Sequence, residues 1–135
     1  MSCWRNFTCN VLKDVDKDMT KKALAELDVT LDENVHHVSA PYAIGEVKSG
    51  DCDAQLVMDG NPLDVGLIWA NSDGNLEIVG DFWKTRLDET SFINQLAQIY
   101  QRINIETQLE LNGYTVDSVN TNAEGEIELE AYCWA

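Results

Sequence analysis

Basic residues are what this sequence has least of. Nine lysines and arginines stand against 24 aspartates and glutamates, for a net charge of −15 and a pI near 4.2. The deficit deepens along the chain. Residues 1–40 hold 5 basic and 7 acidic groups, residues 41–87 hold 3 and 8, and residues 88–135 hold 1 and 9. A field of that sign repels phosphate, so neither direct nucleic-acid binding nor docking on an anionic membrane is expected. Also missing is any apolar run near the roughly 18 residues a spanning helix needs. The opening MSCWRNFTCNVL has neither the positive start nor the apolar stretch of a signal peptide. The chain is expected to stay in the compartment where it is made, the cytoplasm. Cys3, Cys9, Cys52 and Cys133 form no Cys-x-x-Cys pair. His36 and His37 are adjacent, and on a strand they would point to opposite faces. No metal site and no cofactor are expected. The spacing of Asp14, Asp16 and Asp18 suggests a calcium loop, but Met19 sits where such a loop needs Gly and Ala25 where it needs Glu. Gly-rich phosphate loops, Gly-x-Ser-x-Gly and His-Glu-x-x-His are all absent, so no catalytic set is specified.

What is present is a globular composition. The 135 residues are 44% hydrophobic and 24% charged, enough for one domain (1–135) with a real core. Its centre is the stretch from Asp64 to Trp83. Val65, Leu67 and Trp69 alternate to one face, as do Leu76, Ile78, Gly80 and Phe82, with Glu77 and Asp81 on the other. Period-two spacing marks half-buried strands. Asn71-Ser72-Asp73-Gly74 supplies the turn between them. The apolar face of this hairpin needs a cover. A helix starting near Asp88 provides it: Phe92, Leu96, Ile99, Tyr100, Ile103, Thr107 and Leu111 step by three and four, and Asn112-Gly113 ends the run. Each large side chain of that stripe contributes roughly 1.5–3 kcal/mol if buried.

The other elements follow the same rules. A first strand spans Cys3 to Leu12. A short helix follows, capped among Asp14, Asp16 and Asp18, with Met19, Ala23, Leu24 and Leu27 as its stripe. One strand is expected around His36–Ala40, a turn at Lys48–Asp51, and another strand at Ala54–Met58. These two strands are expected to pair with each other. Tyr114–Val119 and Glu126–Trp134 close the chain as strands, with Glu126, Glu128 and Glu130 pointing outward. The order β-α-β-β-β-β-α-β-β gives an α+β fold with a largely antiparallel sheet and both helices on one face.

The runs DVGLIW and LEIVGDFW, the helix from Ser91 to Gly113 with Tyr100-Gln101-Arg102, the closing GEIELEAYCW and the opening MSCWRNFTCNVLKD resemble one family. It is the uncharacterised family of hypothetical chloroplast reading frame thirty-five. The resemblance spans nearly the whole chain and is weakest over residues 29–53. It implies a photosynthetic setting: cyanobacteria, plastids or viruses of cyanobacteria.

Candidate functional residues come from the large aromatics and the charges beside them. Trp83 and Trp134 share a face with charged residues and suit a protein partner or an aromatic ligand. Asp64 and Asp81 read as solvated acids at the ends of the central hairpin, and Trp69 and Tyr100 as core. Three functions fit. The first is a non-enzymatic binding or assembly factor that docks a partner with a basic patch, anchored by Trp83 and Trp134. The second is a ligand-binding protein or enzyme whose pocket, between sheet and long helix, reaches Asp81, Tyr100 or Arg102. The third is a polyanion mimic that blocks a nucleic-acid-binding protein.

Overall fold

The structure, a computed structural model, describes residues 4–41, 45, 47–82, 88–121 and 127–133. Five strands form its main sheet. They are β1 (Trp4–Lys13), β2 (Val29–Asp32), β5 (Ala54–Met58), β6 (Asn61–Ile68) and β7 (Asn75–Asp81), in the spatial order β1-β7-β6-β5-β2. Every neighbouring pair is antiparallel. The central hairpin is β6–β7, with Leu67 opposite Ile78 and Val65 opposite Gly80. Its turn is closed by backbone bonds from the Asn71 N–H to the Asn75 carbonyl (2.8 Å) and from the Gly74 N–H to the Asn71 carbonyl (2.9 Å), and one side chain adds to them. Asn71 Oδ1 accepts from the N–H groups of Asp73 (2.9 Å) and Asn75 (3.1 Å), and Gly74 adopts φ 81 without a Cβ to clash.

Two helices cover one face. α1 (Lys17–Glu26) begins where Asp16 Oδ1 accepts from the Met19 N–H at 3.0 Å. It buries Thr20, Ala23 and Leu24, and the Thr20 hydroxyl donates to the Asp16 carbonyl at 2.8 Å. α2 (Glu89–Leu111) starts at Asp88, whose Oδ1 accepts from the Ser91 N–H at 2.9 Å, and ends against Gly113 at φ 85. Leu96 is 0% exposed in a core that joins Ala23, Leu24, Val29, Leu56, Val65, Leu67, Leu76, Ile78, Phe82 and Phe92. Ile99, Tyr100 and Ile103 pack at its margin. The expected cover for the hairpin is therefore the observed one. The stripe runs out at its far end, however, since Leu111 is 76% exposed.

The opposite face holds what the sequence reading missed. Residues expected as a turn at Lys48–Asp51 are a strand, β4 (Val47–Asp51), paired with β3 (His37–Pro41) in a separate hairpin. The stretch at Ala54–Met58 does not pair with the strand near His37. It sits between β6 and the short β2, which was also unforeseen. The fold class and the order of helices and strands hold, with two more strands between the helices than expected. β3–β4 lies across the sheet with Val38 and Cys52 against Val79, beside Trp4 and Ile68. Gly66 makes that approach possible, because a Cβ there would stand 2.5 Å from Cys52 Cβ. Weak alternation hid this layer: Lys48, Ser49 and Asp51 are polar and exposed, and only Gly50 turns inward.

The last two strands, β8 (Tyr114–Thr121) and β9 (Ile127–Cys133), pair with each other and pack against α2 rather than extending the main sheet. The side chains of Glu126, Glu128 and Glu130, expected to point outward, lie outside the described residues.

Candidate functional site

A groove of ≈ 710 Å³ opens where the end of β1, the start of α1 and the middle of α2 meet. One wall is Lys13, Asp14, Val15 and Asp16; the other is Tyr100, Gln101, Asn104 and Gln108. Leu12 and Met19 complete it. The connection is pinned at both ends. The Asp14 N–H donates to the Gly74 carbonyl at 3.1 Å, with Asp14 itself at φ 51, a conformation that Asp tolerates. The Asp16 N–H donates to the Tyr100 hydroxyl at 2.8 Å, which ties the connection to α2. Tyr100 therefore has a structural bond and a place in the groove wall at once.

The charges of this groove are unbalanced. Asp14 and Asp16 are exposed. The two nearby lysines are drawn toward the β6–β7 turn region. Lys13 and Asp14 both run beside Gly74, where a Cβ would stand 3.3 Å from Lys13 Cε and 3.4 Å from Asp14 Oδ1. Lys17 Nζ lies 5.6 Å from the Trp69 ring centroid, a cation–π contact. Across the groove, no side-chain hydrogen bond occupies Gln101, Asn104 or Gln108 among the described residues. They belong to a wider neutral face. Asn94, Gln101, Ile105, Gln108 and Asn112 are exposed along α2 at spacings of three, four and seven, without a single charge. The sequence carried that signal: in a chain with 24% charged residues, an uncharged outer helix face is unusual.

A second hollow, ≈ 230 Å³, lies on the opposite flank of α1. Lys21, Leu24 and Ala25 of α1 line it together with Val29, Thr30 and Leu31 of β2 and Glu33. Lys21 Nζ and a Glu33 carboxylate oxygen meet at 2.8 Å, both about half exposed. The hydrogen bond to Glu33 raises the Lys21 pKa above its ordinary value, outweighing the opposing effect of burial.

Of the five residues singled out from sequence, the three that are described do not form one site. Trp83 and Trp134 lie outside the described residues. Asp81 is not a solvated strand-end acid: it is 5% exposed and takes part in the structure's interactions. The reason is its neighbourhood, with Trp4 opposite on β1 and β6 on the other side. Asp64, expected to be solvated as well, is half-buried and also has a partner. Arg102 faces α1, where its guanidinium pairs with Glu26, and its Nε lies 3.8 Å from Glu106. It braces the two helices and is not among the residues lining the groove. Of the three described, Tyr100 alone lines the groove.

Among the described residues, no three His, Cys, Asp or Glu side chains converge as metal ligands, and no helix is long and apolar enough to cross a membrane. Neither a curated protein nor a solved structure matches the chain. A family model does match, over residues 23–130, which takes in the last turn of α1, the six strands between the helices, all of α2 and the β8–β9 hairpin up to Glu130. The chain belongs to that family, described as a protein of unknown function, DUF1257.

Proposed function

We propose that the chain is a small non-enzymatic binding factor that takes a basic segment of a partner protein into the groove between the β1–α1 connection and α2. The observation that carries this reading is that two exposed acids, Asp14 and Asp16, line the same groove as a row of unengaged amides on a chain of net charge −15. Carboxylates in such a place attract lysine and arginine, while amides supply donors and acceptors for a peptide backbone. The groove is open rather than enclosed, with Asp14, Asp16, Gln101 and Gln108 all exposed, which suits a chain segment better than a small metabolite. In this reading Trp83 and Trp134 remain candidate anchors for the partner. The finer family identity, hypothetical chloroplast reading frame thirty-five, rests on the resemblance described above. On that resemblance we propose a partner in the cytoplasm of a cyanobacterium, in a plastid stroma, or in the host of a cyanobacterial virus.

The test is affinity capture from a cyanobacterial lysate, comparing the parent with Asp14→Asn/Asp16→Asn. Asn keeps the helix cap and tolerates positive φ, so the variant removes charge and little else. A basic protein should be captured by the parent, released as salt is raised, and lost by the variant. Equal capture by both proteins, or no basic protein among those captured, overturns the reading.

A further inference from the structure

The strand order leaves β2 at one end of the main sheet, and among the described residues β5 is its only strand partner. In an antiparallel ladder alternate residues direct their N–H and C=O away from the partner, so this edge presents unpaired backbone groups. The open stretch has defined limits. The Asp28 N–H donates to the Ala25 carbonyl (3.1 Å) before it, and the Val35 N–H donates to the Asp32 carbonyl (3.4 Å) after it. The other sheet edge, β1, is ten residues long and carries a register irregularity between Cys9 and Lys13, which is one way proteins blunt an edge. β2 carries no such irregularity. Its sequence, Val-Thr-Leu-Asp, lacks lysine and proline, and its register with β5 runs unbroken from Val29–Met58 to Asp32–Gln55.

Beside this edge lies the ≈ 230 Å³ hollow. α1 runs alongside β2 and contributes Lys21, Leu24 and Ala25, one face at spacings of three and four. Val29 is 0% exposed on the helix-facing side, and Leu31, on the same side, is only partly buried at the hollow's rim. An open strand edge flanked by a helix, with an apolar hole between, combines the two parts that strand-addition sites use. Main-chain bonds give affinity, and a side-chain pocket gives selection. The surroundings are acidic. Asp18, Asp28, Asp32 and Glu33 outnumber Lys21 and Lys22, and Lys21 is already paired with Glu33 across the hollow. That pair is exposed, so its contribution is small and it yields readily to an entering group.

We propose that β2 and the hollow beside it bind an extended segment of a basic protein by strand addition, with one bulky aliphatic or aromatic side chain seated between Leu24, Ala25 and Leu31. The inference rests on the reading that this chain serves a basic protein partner, but it uses the flank of α1 opposite the groove.

The test uses the full chain, labelled with nitrogen-15, and a short capped peptide that alternates lysine with valine around a central phenylalanine. Binding is read from amide shifts and from fluorescence anisotropy of the tagged peptide. Saturable shifts should centre on Ala25, Thr30 and Leu31, with slower hydrogen exchange at the outward amides of β2. Ala25→Phe fills the hollow from the solvent side, where Ala25 is exposed, and should weaken binding about tenfold or more. A thermal melt matching the parent shows that this variant folds. Replacing the peptide's lysines with glutamates should weaken binding at least as much. The absence of saturable shifts, or unchanged affinity in Ala25→Phe, overturns the inference. Shifts confined to Asp14, Asp16 and Gln101 overturn it too while upholding the groove. Concentration-dependent shifts of β2 without peptide would assign this edge to a second copy of the chain, and that also overturns the proposal.

Discussion

Gly66→Ala puts one methyl group into the tightest contact between the sheet and the β3–β4 layer. The new Cβ would stand 2.5 Å from Cys52 Cβ, 2.7 Å from Cys52 Sγ and 3.3 Å from Val38 Cγ2. Carbon atoms settle at about 3.5–4.0 Å, so the hairpin has to retreat by roughly 1 Å. Gly66 is buried within β6, and its backbone is not among the positive-φ glycines, so the effect is one of space rather than conformation. Overpacking of this kind costs roughly 1–3 kcal/mol. Against a total stability of order 5–15 kcal/mol that is a large share. It corresponds to a fall in Tm of roughly 3–12 °C for a chain of this size. Urea unfolding followed by circular dichroism gives the free energy, and hydrogen exchange locates it. Amides of β3 and β4 should exchange faster while those around Leu96 in α2 keep their protection. Cys52→Gly removes the opposing Cβ, so the double-mutant cycle should return a coupling of about 1 kcal/mol or more. A Gly66→Ala protein that melts within about 1 °C of the parent, or a cycle with no coupling, would refute the idea that the second layer is seated on this glycine.

Other perturbations test the helix side and the groove. Leu96→Ala empties a wholly buried position and should lower stability by about 2–5 kcal/mol in urea titrations; a loss under about 1 kcal/mol would mean that α2 is not the main cover. Asp88→Ala removes the side-chain acceptor of the Ser91 N–H and should cost about 1 kcal/mol, whereas Asp88→Asn should be close to neutral in the same assay. Tyr100→Phe deletes the acceptor of the Asp16 N–H and should cost about 0.5–1.5 kcal/mol, with faster exchange of the Asp16 amide as its local signature. Burial pushes the Cys52 thiol up, and the neighbouring Asp53 carboxylate adds to the effect. The unfolded chain therefore ionises at this cysteine first. Its contribution is intact below the ordinary thiol range and is lost as pH rises through the folded value. Cys52→Ala should make the alkaline fall in stability shallower, and iodoacetamide should label native Cys52 more slowly than the urea-unfolded thiol; equal rates would refute the burial argument.

The sequence by itself determined every element whose signal is local. The bounds of α2 were written in Asp88 and Gly113, because capping needs one acceptor before the helix and one residue free to take positive φ after it. The β6–β7 hairpin was equally legible, since strict alternation and the Asn71–Gly74 turn depend only on neighbours along the chain. Of the candidate site, the sequence yielded Tyr100 as a residue of the long helix, and the neutral row from Asn94 to Asn112 was there to be read. Tertiary structure decided the rest. Polar β4 became a strand because β3 and the sheet below it, at Gly66 and Val79, offered it a surface. Asp81 was buried by the strands on either side of it, and Arg102 was drawn to α1 by Glu26, far away in sequence. The groove exists only because Tyr100 meets Asp16 across 84 positions of chain, a contact that no pattern of period 2 or 3.6 encodes.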